Sequence, residues 1–201
     1  MKSNTKDLFH ANSDILNLLS LVNEIGWKTL REQSIQRIIY FSKVMYSFIY
    51  IKEKNLFENY HFSKSVSGPY ADLIKRSVIN LKSTEIVNED EEGNIKLIET
   101  HQINGEEKHI EWLRVIIYIL GLYGENKIFN FTIHDPLYKE ALDSNTQQEL
   151  DASPENKTIQ VLNQFKTAFE ETLDDVSNIS NQEYLELYFE YVFSQIINRG
   201  E

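Results

Sequence analysis

The stretch Ser34–Ile51, SIQRIIYFSKVMYSFIYI, limits the folds open to this 201-residue chain more than any other. Ile35, Ile38, Ile39, Met45 and Ile49 recur at helical spacing, and Phe41, Val44, Phe48 and Ile51 form a second stripe beside them. Only Gln36, Lys43, Ser47 and Lys54, with the amphipathic Tyr40 and Tyr50, mark a narrow wet edge. A helix apolar around most of its circumference needs cover on several sides. The pattern therefore predicts the central helix of a domain, running to about Lys54.

The flanking punctuation gives this helix its neighbours. Leu8–Ile25 carries Ile15, Leu18, Leu19 and Val22 on one face and ends at Gly26, a residue free to take positive φ. After the central helix, Gly68-Pro69-Tyr70 reads as a turn that launches a helix with Leu73, Ile74, Val78 and Leu81 inward. Two short β signals, Glu85–Asn88 and Asn94–Glu99, flank Glu89-Asp90-Glu91-Glu92-Gly93 and predict a hairpin with an acidic tip. Helix, turn, helix and hairpin in this order is the layout of a winged helix. The expected fold class is mainly α, with a winged-helix-like region at 1–104 and a helical C-terminal region at 105–201 sharing its core.

In that second region Glu106–Leu122 is helical and nearly all apolar from Trp112 onward, while Tyr123–Phe131 fits no single element. Thr132–Asp135 reads as an extended piece entering a helix, with Asp135 as cap and Pro136 at its first position. Asp143–Ser153 is polar and aperiodic, the expected loop or boundary. Ser153-Pro154-Glu155 opens a helix with Ile159, Leu162, Phe165, Phe169 and Leu173 on one face. Ser180 and Glu183 form a capping box for the last helix, whose face is Leu185, Tyr188, Val192 and Ile196.

Composition narrows function mainly by exclusion. With no cysteine there is no disulfide framework and no thiolate metal site. No stretch is apolar enough to span a bilayer, and residues 1–14 lack the apolar core of a secretory signal, so the expected compartment is the cytoplasm. No glycine loop has phosphate-binding spacing, and the five histidines never share a helix face at ligand spacing. His101 and His109 flank Gly105 and read as a surface pair, and His134-Asp135 as a helix cap. No catalytic, cofactor-binding or metal-binding residue is expected, and the chain reads as a non-enzyme.

Charge adds direction. Residues 1–133 carry sixteen Lys and Arg against seventeen Asp and Glu, while residues 134–201 carry four against fourteen, which makes up the net −11. An acidic second half repels phosphate backbones and suits a basic protein surface. Lys75, Arg76 and Lys82 sit where a winged helix offers its recognition helix to DNA, so they are the candidates for weak DNA contact. On the last helix Tyr184, Tyr191 and Phe193 lie off the apolar face, and with Glu190 they are the candidates for partner binding. Asp174, Asp175, Glu183 and Glu186 surround them with negative charge.

The segment Ile35–Tyr46, IQRIIYFSKVMY, with Gly68-Pro69-Tyr70, Leu73 and the hairpin, resembles the middle component of bacterial ABC-three-component systems, including the small subunit of Lamassu-type defence complexes. That resemblance implies a winged-helix subunit with extra helices, working beside an SMC-like ATPase and an effector that is often a nuclease. It carries no catalytic residue over and leaves DNA contact weak or made through the complex. The same residues are similar to the Panacea antitoxin domain, which implies neutralisation of a toxin, and a Wadjet-like accessory subunit is a related reading. A winged-helix DNA-binding regulator is the third expectation.

Overall fold

The computed structural model describes residues 5–144, 149–172 and 178–198. Its elements run α1 (Thr5–Glu24), β1 (Leu30–Arg31), α2 (Glu32–Ile49), β2 (Ser63–Ser65), β3 (Gly68–Tyr70), α3 (Asp72–Ser83), β4 (Val87–Glu89) and β5 (Asn94–Leu97). Five helices follow: α4 (Glu107–Gly121), α5 (Glu125–His134), α6 (Pro136–Asp143), α7 (Lys157–Thr172) and α8 (Asn181–Asn198). The protein is mainly α, as its periodicities require. No helix among the described residues is long and apolar enough to cross a membrane.

The first half has winged-helix topology. β1, β5 and β4 form an antiparallel sheet in that order, with Leu30 opposite Ile95 and Val87 opposite Leu97. The acidic residues 89–92 form the wing turn, where the Asp90 carboxylate accepts from the Glu92 and Asn94 N–H groups and Gly93 takes φ +80°. Those hydrogen bonds hold the Asp90 side chain below the usual carboxylate pKa, the Asn94 side chain contributing most. A second hairpin, β2–β3, is inserted between α2 and α3.

α2 is the axis of the molecule. It packs against α3, α4, α5, α7 and α8 and against β1 and β3, which is the many-sided cover that its apolar circumference demands. Ile35, Ile38, Ile39, Phe41, Val44, Met45 and Phe48 are almost fully buried, each contributing about 1.5–3 kcal/mol of gross transfer free energy. Aromatic contacts tie α2 to the second half: Phe41 meets Phe189 edge-on at 5.8 Å, and Tyr46 meets Trp112 at 6.0 Å. The Trp112 indole N–H donates to the Ser42 carbonyl at 2.7 Å, so this ring is also satisfied.

Several elements depart from the sequence expectation. Gly68-Pro69-Tyr70 is strand β3 and not a free turn; the turn lies just before it at Val66 and Ser67. α2 stops at Ile49 because Lys52, Glu53 and Lys54 are exposed and offer nothing to bury. Gln36, expected on the wet edge, is buried and clamps the Ala71 backbone from both sides, accepting its N–H at 2.9 Å and donating to its carbonyl at 3.3 Å. Tyr123–Phe131 and the expected extended piece at 132–134 are largely one helix, α5. α7 starts later than Ser153, with the Asn156 side chain capping the Ile159 N–H at 3.1 Å. Leu173, Asp174 and Asp175 lie outside the described residues. The capping box at α8 is complete: Ser180 Oγ accepts from the Glu183 N–H, and Glu183 accepts from the Ser180 N–H at 2.7 Å.

Candidate functional site

α3 and the wing make the surface that a winged helix presents to DNA, and here the three cations of α3 are already engaged. Glu32, in the first turn of α2, accepts from Lys75 Nζ at 2.8 Å and holds that ammonium above its usual pKa. Arg76 pairs with Asp72 one turn earlier at 2.8 Å, and Lys82 pairs with Glu89 at the base of the wing. The three candidates for DNA contact thus lie on one helix, each beside a carboxylate. Such exposed pairs add little to stability, but they set the field. Residues 72–99 carry seven carboxylates against four cations, and Ile79, in the middle of α3, is exposed. A phosphate backbone approaching here meets net negative charge.

The four candidates on α8 are divided by the fold. Tyr184 is buried at 1 % exposure, its ring edge-on to Phe169 at 5.9 Å. This corrects its assignment as an available aromatic. Phe193 also faces inward, its ring tilted against Tyr123 at 4.6 Å and lying 6.2 Å from Phe131. The reason is that α8 sits against both α5 and α7, so it buries two flanks and not one stripe. Tyr191 stays half exposed, resting on Phe165 at 5.6 Å, and Glu190 is exposed beside it. Only Tyr191 and Glu190 remain as a surface.

Two polar clusters escaped the sequence because their members are far apart in the chain. Asp135 caps α6 through the Tyr138 N–H at 3.0 Å, as its Asp-Pro context predicts, but it also accepts from the Tyr40 hydroxyl at 2.6 Å and the Thr158 hydroxyl at 2.7 Å. Burial raises its carboxyl pKa against the pull of these donors, and burial, then the Asp135 charge, push the Tyr40 phenol well above its usual value. This cluster is a structural hub joining α2, α6 and α7. The second cluster floors a cleft of about 630 Å³ between α1, the loop after α2 and the start of α4. There Asp14 accepts from the Tyr60 hydroxyl at 2.6 Å, and His109 Nε2 lies 3.0 Å from the other carboxylate oxygen, outside hydrogen-bond alignment. His109 lies tilted against Phe57 at 4.4 Å, and the carbonyl of His101, its expected neighbour, accepts from the Ser20 hydroxyl.

Among the described residues no three His, Cys, Asp or Glu side chains converge to hold a metal ion. Comparison of the chain with protein-family models, with curated proteins and with solved structures finds no match in any of the three. Functional inference therefore rests on the residues themselves.

Proposed function

We propose that this chain is a non-enzymatic, cytoplasmic winged-helix subunit that acts by docking on another protein. The partner we propose is an SMC-like ATPase of a bacterial anti-phage or anti-plasmid complex that also contains an effector, a nuclease in the simplest case. The observation that carries the reading is the neutralised recognition face. Lys75, Arg76 and Lys82 are each held by a carboxylate, and the wing is acidic. A winged helix whose α3 and wing repel polyanions retains the scaffold without the electrostatic term that supplies most DNA affinity. The likeness of Ile35–Tyr46 and Gly68-Pro69-Tyr70 to ABC-three-component middle subunits supports the choice of partner.

The test is expression of the tagged chain from its native operon, followed by capture and mass spectrometry. Recovery of an SMC-like ATPase in stoichiometric amount is the expected result. A small toxin in its place would replace this reading with the antitoxin one, and a chain recovered alone would overturn both.

A further inference from the structure

Arg37, on the second turn of α2, is a half-buried cation with no direct ion pair among the described residues, and the nearby Glu125 charge offsets its burial only in part. Its Nη2 donates to the Ser67 carbonyl at 2.6 Å, and its guanidinium lies 4.6 Å from the Phe129 ring centre. Nε is buried and has no acceptor; it passes so close to Gly68 that a Cβ there would lie 3.1 Å away. No carboxylate among the described residues pairs with Arg37. Arg31 lines the same pocket, with its own charge shared by Glu125 at 3.3 Å and Asn126 at 2.6 Å. Two guanidinium groups thus line one pocket, with one carboxylate paired to Arg31, in a chain whose net charge is −11. Burial, and next the Arg31 charge, lower the Arg37 pKa, against smaller raising contributions from Tyr138 and Glu125.

The surroundings say which anion. The pocket, about 320 Å³, is lined by Arg31, Gln33, Arg37, Val66, Ser67 and Phe129. Val66, at the tip of the β2–β3 turn, is 94 % exposed. A planar guanidinium fork matches a carboxylate or a phosphate equally well. The apolar Val66 and Phe129 beside it suit an apolar neighbour of that anion. A nucleic-acid strand would also have to pass the adjoining α3 and wing, where carboxylates outnumber cations.

We infer that the Arg37 pocket is the docking point for an acidic side chain of the partner protein, with an apolar side chain next to it seated on Val66 and Phe129. This rests on the reading of the chain as a docking subunit and names the surface that would do the docking.

The test starts without the native partner. A short acetylated and amidated peptide of alternating leucine and aspartate is titrated into the labelled chain, and the Arg37 Nε–H and the Val66 and Ser67 amides are followed by NMR. The same peptide with asparagine, inorganic phosphate and a short DNA duplex are titrated in parallel. The expected result is a saturable shift of these signals with the aspartate peptide, and binding roughly tenfold weaker with the asparagine form. Val66→Asp, at a position too exposed to disturb folding, should weaken the aspartate peptide by at least a similar factor, roughly tenfold. Equal response to both peptides, or none to either, would overturn the assignment; a response to DNA alone would reassign the pocket to phosphate.

Capture from the operon separates the two claims. If the wild-type chain captures its ATPase and Val66→Asp captures it equally, the pocket is wrong and the subunit reading stands. A wild-type chain that captures nothing counts against the subunit reading, and the peptide titration then decides the pocket by itself.

Discussion

Replacing Asp135 is the sharpest probe of how the two halves are joined. The carboxylate takes hydrogen bonds from Tyr40 on α2, the Tyr138 N–H on α6 and Thr158 on α7, and all three donors are buried. Asp135→Ala removes an N-cap, a loss of about 1 kcal/mol. It also strands the Tyr40 hydroxyl in the core and strips Thr158 of its acceptor, about 1–3 kcal/mol for each buried group left unsatisfied. The sum is about 3–7 kcal/mol, or about 6–28 °C in melting temperature for a chain of this length. Tyr40→Phe on the Asp135→Ala background should restore part of this, because the stranded hydroxyl is gone. pH gives an independent check. Burial raises the Asp135 carboxyl above its ordinary 3.8, so between the two values the native state holds a proton that the unfolded chain has released. The resulting stability is complete below the unfolded pKa and is lost as pH rises through the folded one. Wild type should therefore gain on Asp135→Asn as the pH is lowered toward the unfolded value. Thermal melts of the four proteins across pH test this, and an Asp135→Ala melt within about 2 °C of wild type would refute the hub.

Three further outcomes follow from the same geometry. Gly68→Val should cost roughly 1–3 kcal/mol in a denaturant melt, since φ +118° is closed to a β-branched residue, and the NMR signal of Arg37 Nε–H should move with it. Gln36→Leu should cost about 1–3 kcal/mol by leaving the Ala71 N–H and carbonyl buried without partners; an unchanged melt would mean water replaces the clamp. Tyr191→Ala with Glu190→Lys should leave the circular dichroism melt intact, whereas Tyr184→Ala should lower it sharply, because only the first pair is exposed.

The parts of this fold legible in the sequence are those written in local chemistry. α2 shows in its apolar stripes, α1 ends at Gly26 with φ +87°, and the wing turn is built by Asp90 and Gly93 within five residues. The β2–β3 hairpin was not legible: its strands are three residues long, too short to show alternation, and Pro69 argues for a turn. Gln36 looked like a surface residue because its partner, the Ala71 backbone, is 35 positions away and has no side-chain signature. Tyr184 and Phe193 were misplaced because a helix covered on two flanks has no clean period to read. The Arg37 pocket and the Asp14–Tyr60–His109 cluster are assembled by tertiary contact alone. The one local signal for the pocket was Gly68, whose missing Cβ leaves room for the Arg37 guanidinium.

The central claim, that this winged helix has given up DNA for a protein partner, is tested most directly by fluorescence anisotropy of the isolated chain with duplex DNA across salt concentrations. A triple variant, Glu32→Gln, Asp72→Asn and Glu89→Gln, frees Lys75, Arg76 and Lys82 and serves as the comparison. The account predicts wild-type binding weaker than micromolar at physiological salt, without sequence preference, and a variant that binds more tightly with a salt slope steeper by about three released counterions. Nanomolar, sequence-selective binding by the wild-type chain would contradict it.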